Sequence, residues 1–163
     1  MIIVADRIDR LDFSKLCEAY KEDLERNRIK NYGDFSEESG RELAQQDHYL
    51  YLKNVFFNRY NGKLFVYEDG DRYLSSVCFE PFEDGLLLNS LVTVSDERRK
   101  GYAEKLLRYA LKYAEVRPVY AHIYFKNTAS RCLHEKMGFV LLQECAHMLD
   151  GSVRSDHFTY ILK

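Results

Sequence analysis

The sequence predicts a mixed α/β (α+β) fold: a central, mostly antiparallel sheet of six to seven strands with helices on both faces. Three observations carry this. The apolar run Leu86–Val94, the amphipathic segment after Gly101 and the alternating run Val119–Phe125 form a strand–helix–strand unit. Such a unit closes as a right-handed parallel crossover. Turn signals at Asn61-Gly62, Asp69-Gly70-Asp71 and Pro81–Gly85 separate runs that read as antiparallel hairpins. Two helical segments fill the chain before the first hairpin, and two further strands follow the crossover.

Taken in order, Met1–Ala5 is a short apolar strand. Asp12 or Ser14 caps a first helix running to about Asn27, with Leu16, Tyr20 and Leu24 on one stripe. After a polar loop containing Gly33, Ser36 caps a longer helix reaching about Asn58. Its apolar residues occupy two sides, Leu43, Ala44, Leu50, Tyr51 and Val55 on one, Tyr49, Leu52 and Phe56 on another. A helix of that kind is covered on both. Lys63–Glu68 and Arg72–Glu80 form a hairpin, and Leu86–Val94 follows. The next helix places Ala103, Leu106, Leu107, Ala110, Leu111 and Ala114 on one face, with Glu104, Lys105, Arg108 and Lys112 on the other. Pro118 ends that region and Val119–Phe125 is the returning strand. Asn127–Met137 is a short helix stopped by Gly138, a residue type suited to the position after a helix end. Strands at Val140–Leu149 and Phe158–Leu162, with Gly151 in the turn between, complete the sheet.

Composition narrows the function. At 163 residues the chain reads as one domain, 1–163, without repeats or linkers. A formal net charge of −2 argues against a general nucleic-acid binder, whose footprint is basic. No apolar run reaches the roughly 20 residues that span a bilayer, and no signal segment opens the chain, so a cytoplasmic location away from membranes is expected. Cys17, Cys78, Cys132 and Cys145 are widely spaced, with neither zinc-site nor disulfide pattern, and read as buried structural residues. No metal is expected.

The stretch Arg98-Arg99-Lys100-Gly101-Tyr102-Ala103 joins the apolar strand to the amphipathic helix. N–H groups in the first turn of a helix lack intrahelical partners, and the helix dipole adds partial positive charge there. Three consecutive cations strengthen the preference for an anion, and Gly101 lets a phosphate approach the backbone closely. A phosphate-bearing cofactor is therefore expected. Neither a G-x-x-x-x-G-K-[ST] loop nor a G-x-G-x-x-G fingerprint is present, which disfavours a nucleotide-binding enzyme.

These residues resemble the GNAT superfamily of acyl-CoA-dependent N-acetyltransferases, whose pattern is an apolar strand, then Q/R-x-x-G-x-G/A, then a helix. Here Leu91–Glu97 precedes Arg98-x-x-Gly101-x-Ala103. A second family block, Asn-x-x-Ala/Ser-x-x-Leu-Tyr-x-x-x-Gly-Phe, is matched by Asn127–Phe139, which ends Met137-Gly138-Phe139. The specific match covers roughly Leu86 to Phe139. The resemblance implies acetyl-CoA as cosubstrate and direct transfer to a primary amine, of a small molecule or a peptide, in a ternary complex. It implies that backbone groups around Thr93 and Val94 pair with the pantetheine arm. Amides from Arg99 through Lys100, Gly101 and Tyr102 to Ala103 cradle the pyrophosphate, with Arg98 at the Gln/Arg position. Asn127 and Ser130 match cofactor-contacting positions. His134 stands where a Tyr usually protonates the departing thiolate. A homodimer is left open.

Two substitutions shape the catalytic expectations. A His acid at position 134 is mostly unprotonated near neutrality, since free His titrates near about 6.5. The usual carboxylate early in the central strand is missing, because Leu86, Leu87, Leu88, Asn89 and Ser90 stand there. His122, sharing a strand face with Tyr120 and Tyr124, is the candidate base, with a hydrogen-bonded sheet histidine as the alternative. Asn89 orients a substrate but takes no proton. Glu80, Glu83 and Asp84 read as solvated, Asp34 and Asp47 are weaker options, and His48, His147 and His157 read as structural. Loss of both usual groups also fits a CoA-binding regulatory or sensory domain with weak or absent catalysis.

Overall fold

The computed structural model describes residues 1–163. Along the chain lie β1 (Ile2–Ala5), α1 (Phe13–Ala19), α2 (Lys21–Tyr32), α3 (Glu37–Leu50), β2 (Lys63–Asp69), β3 (Arg72–Phe82) and β4 (Gly85–Thr93). Then come α4 (Tyr102–Ala114), β5 (Val119–Tyr124), α5 (Thr128–Lys136), β6 (Val140–Gln143), β7 (Ala146–His147), β8 (Val153–Arg154) and β9 (His157–Leu162). Seven strands form one sheet in the order β1-β2-β3-β4-β5-β9-β6, with β7 and β8 as a separate two-stranded ribbon. Within the large sheet β4 and β5 pair in parallel, and every other pair is antiparallel. No helix is long and apolar enough to cross a membrane.

Each sheet face has its own core. On one, Leu16 and Leu24 from the first helices, with Leu52 and Phe56, pack on Leu64, Val66, Leu74 and Cys78. On the other, the amphipathic face of α4 buries Leu106, Leu107, Ala110 and Leu111 against Phe65, Val77, Phe79 and Tyr160. Fully burying each of those leucines is worth roughly 1.5–3 kcal/mol, so the crossover helix is held by its apolar face. Strand β3 is buried along nearly all its length, as expected for the middle of a sheet covered on both sides.

The structure differs from the sequence-based expectations in several places. The first helix is two helices, broken at Tyr20 (φ −95°, ψ 14°), and the second of them runs to Tyr32. Asp12 is the cap, accepting from the Lys15 amide at 3.2 Å. Ser36 caps α3 as expected, but beyond Leu50 the helix widens into a π-helical turn over Tyr51–Phe57. That widening turns Leu52, Phe56 and Phe57 together onto the sheet, which a regular helix would not do. The strand expected over Val140–Leu149 stops at Gln143, and Ala146-His147 leave the sheet to pair with Val153-Arg154. Of the cysteines, Cys17 and Cys78 are buried, whereas Cys132 is exposed on α5.

Candidate active site

The site is made where two parallel strands part. β4 and β5 pair over Leu86–Leu88 and Val119–Ala121 and no further. Beyond that point Asn89–Val94 faces His122–Tyr124 across an open groove of about 1220 Å³. Peptide groups of β4 that would continue the parallel ladder are left free for an extended ligand. A bulge shapes this wall: Ser76 pairs with Val92 and Cys78 with Asn89, so β4 carries one residue more than β3. Ser90, in the bulge, is left-handed at φ 52°. The buried Tyr20 hydroxyl donates to the Ser90 carbonyl at 3.2 Å and lies 3.1 Å from Ser76 Oγ, tying the broken helix pair to the bulge.

The groove ends at the turn into α4. Arg99 (φ 64°) and Gly101 (φ 85°) are both left-handed, and α4 starts at Tyr102. A Cβ on Gly101 would meet no protein atom within 4 Å. The glycine is thus required by its dihedral angle, and a side chain there would fill space the groove leaves free. The cradle of amides at a helix start, open in front, fits a pyrophosphate.

Thr93, Val94, Arg98, Arg99, Gly101, Tyr102, Ala103, His122, Asn127, Ser130 and His134 all line this groove. Lys100 does not. Its ammonium group turns to Glu97 Oε2 at 2.9 Å, so the side chain pairs with a carboxylate instead of lining the groove. Arg98 donates from Nε to the Thr93 carbonyl at 3.2 Å and from Nη2 to Glu22 Oε2 on α2 at 2.6 Å. The guanidinium therefore sits at the groove edge, already engaged by a carboxylate.

Asn127, Ser130 and His134 form one chain along α5. Asn127 Oδ1 caps the helix by accepting from the Ser130 amide at 3.1 Å. The Ser130 carbonyl accepts from His134 Nδ1 at 2.8 Å. A carbonyl only accepts, so Nδ1 carries the proton and Nε2 presents a lone pair. His134 is 1% exposed, its ring edge-on to Phe139, and Nε2 has no protein partner. Burial lowers its pKa, outweighing the Ser130 hydrogen bond. The ring is therefore a neutral acceptor rather than the proton donor considered from the sequence.

His122 lies across the groove with Phe82 edge-on at 5.4 Å. Burial, with His157 and His147 nearby, lowers its pKa to about 4, and Nδ1 is buried without a partner. A ring that releases its proton so readily is a weak base at neutral pH. Tyr120 on the same face donates to Asp84 at 2.8 Å.

Glu80 corrects the expectation of a solvated carboxylate: it is 2% exposed. Burial raises its pKa to about 7, against the opposing hydrogen bond from Asn89. Asn89 Nδ2 donates to Glu80 Oε1, while Oε2 is buried without a partner. Strand period carried the missing signal. Leu74, Ser76, Cys78, Glu80 and Phe82 alternate on one face of a strand buried on both, which places the carboxylate inside.

Comparison with known proteins agrees with this geometry. The family model described as "Acetyltransferase (GNAT) family" matches residues 16–139. An uncharacterized N-acetyltransferase of Bacillus subtilis (strain 168), YjdG, is 25% identical over 96% of this chain and 95% of its own. Among solved structures, PaiA N-acetyltransferase from Thermoplasma acidophilum, in complex with coenzyme A, superposes with a TM-score of 0.66 at 15% identity, covering 100% of this chain and 99% of that one. Aminoglycoside 6′-acetyltransferase type Ii gives a TM-score of 0.66 at 16% identity, covering 100% and 96%. With more than half its length matched by the family model and the splayed strands, turn and helix in place, the chain belongs to the GNAT family of acetyltransferases.

Proposed function

We propose that this acyltransferase moves an acetyl group from acetyl-CoA to a primary amine by direct attack while both substrates are bound. The parting of β4 and β5 above the left-handed Arg99–Gly101 turn is the observation that carries this. One long groove joins free strand-edge peptides, suited to an amide-bearing arm, to a helix start suited to a pyrophosphate. Acetyl-CoA supplies the activated acyl group as a thioester. The Asn89–Val94 edge and the amides of Arg99–Ala103 hold it, with Arg98 released from Glu22 toward phosphate.

Transfer forms an N–C bond, breaks a C–S bond and moves one proton from nitrogen to sulfur. The amine must be neutral to attack, and amines of the Lys type titrate near about 10.4. On the acceptor side, the neutral His122 ring and the Asn89 amide accept hydrogen bonds from the amine and orient it. On the leaving-group side, His134 Nε2 accepts the hydrogen of the newly formed thiol. Its Nδ1–H, fixed on Ser130, holds the ring in the tautomer that does so. The proton itself passes through water in the open groove.

Release of CoA thiol from acetyl-CoA, followed with a panel of amines, tests the assignment. Turnover with at least one amine, coupled to a product heavier by one acetyl group, is expected. Tight CoA binding without amine-dependent thiol release would favour a CoA-binding regulatory domain.

A further inference from the structure

Glu80 is hydrogen-bonded to Asn89, and the transfer reaction above gives Asn89 a part but Glu80 none. Asn89 lines the groove immediately past the point where β4 and β5 part. Glu80, on the neighbouring strand, does not reach the groove and touches it only through Asn89. A carboxylate can only accept, so the half of the amide facing it must be N–H. That fixes the other half: Oδ1 is turned away from Glu80 and receives no hydrogen bond from the protein.

We propose that Glu80 is a positioning residue for the acceptor amine. Its carboxylate holds the Asn89 N–H and thereby presents the Asn89 carbonyl oxygen to the attacking nitrogen, and protonation of Glu80 reverses the amide. A protonated Glu80 donates to Oδ1 and turns Nδ2–H into the groove, where it opposes an amine N–H. The inference rests on the acetyl-transfer assignment for its functional consequence, but not for the switch itself.

The surroundings leave Glu80 free to titrate as a single group. No Lys, Arg or His pairs with it. The groups that face it are Tyr51 from the π-helical turn and Cys78 from its own strand, together with Asn89 from β4. Burial pushes the Cys78 thiol up to about 12 and the Tyr51 hydroxyl well above its ordinary value, so both stay neutral across the physiological range. The Glu80 pKa of about 7 puts the switch near neutrality.

The test has two parts. The side-chain amide of Asn89 is followed by ¹⁵N NMR in the free protein from pH 5 to 9, in wild type and Glu80→Gln. The wild-type resonance should move with a midpoint near about 7, and the variant's should stay flat, because Gln keeps an acceptor but cannot ionise. Thiol release from acetyl-CoA is then measured with spermidine, tyramine and an alanyl peptide at pH 6 and 8. The ionised fraction of wild-type Glu80 rises from about one-tenth at pH 6 to about nine-tenths at pH 8. The ratio of Glu80→Gln to wild-type rates should therefore be about tenfold higher at pH 6, the amine's own titration cancelling. Asn89→Ala should lose the inflection near neutrality. A pH-independent Asn89 amide, or an inflection that survives in Glu80→Gln, overturns the proposal. So does Glu80→Gln turnover abolished at both pH values with the inflection retained in Asn89→Ala, the pattern of a base acting through water. Failure of every amine at pH 8 with acetyl-CoA bound would sink the acetyl-transfer assignment instead, and the NMR titration would still decide the switch.

Discussion

Replacing Glu80 by Gln should become more favourable to stability as the pH rises from acid to alkaline. The carboxyl is buried, and its pKa rises from 4.5 to about 7 on folding. A group whose folded pKa is raised supports the fold fully below its unfolded pKa. That support is lost as pH climbs through the folded value, here between about 4.5 and 7. If wholly realised, the shift is worth about 3 kcal/mol. Relaxation around a buried ion reduces the expected penalty to about 1–2 kcal/mol. Gln preserves the acceptor for Asn89 Nδ2 but adds an NH₂ where Oε2 now lacks a partner. That second cost does not depend on pH, so the change in the difference is what matters. Urea unfolding of both proteins at pH 5 and pH 8 measures it. The variant's stability relative to wild type should rise by about 1–2 kcal/mol between those values. An equal difference at both, or one that falls with pH, would refute the burial argument for Glu80.

Three further outcomes follow from the geometry. Gly85→Ala should destabilise by more than about 2 kcal/mol in the same assay, because its Cβ would lie 1.9 Å from the Pro118 carbonyl oxygen at the root of the splay. Glu22→Gln should tighten CoA binding about two- to fivefold at low salt, since Arg98 no longer has to leave a carboxylate, and the gain should vanish in high salt. Calorimetry at two ionic strengths reads it. Thermal stability should fall as pH drops through about 6.5, where the unfolded chain protonates its histidines while His48, His122 and His134 resist, each with its folded pKa lowered by burial. Replacing His48 with Gln should shallow that slope.

The strand–helix–strand unit and the turn into α4 are legible in the sequence because they rest on local signals. The helical stripe of α4 and the glycine after α5, left-handed at Gly138, each report their structure within a few residues. The break at Tyr20 was not legible, since Tyr is an ordinary helix residue. What breaks the helix is the hydroxyl reaching Ser76 and Ser90, some 56 and 70 positions along the chain. The π-helical turn is similar: Leu52, Phe56 and Phe57 sit together because the sheet below demands it. Lys100 belongs to a basic cluster in the sequence, yet Glu97 three residues earlier pairs with it. Glu80 looked solvated because it stands next to a turn. Its burial follows from β3 being covered on both faces, a tertiary fact. The His134 tautomer likewise needed the Ser130 carbonyl in view.

The most direct measurement is a calorimetric titration of acetyl-CoA into the wild-type protein and into Gly101→Val, with circular dichroism to show that both are folded. Wild type should bind one acetyl-CoA per chain. The variant should bind at least about tenfold more weakly, because a branched side chain at φ 85° strains the turn and occupies the open space before the α4 amides. Equal affinity in the two folded proteins would contradict the placement of acetyl-CoA in the groove between β4 and β5.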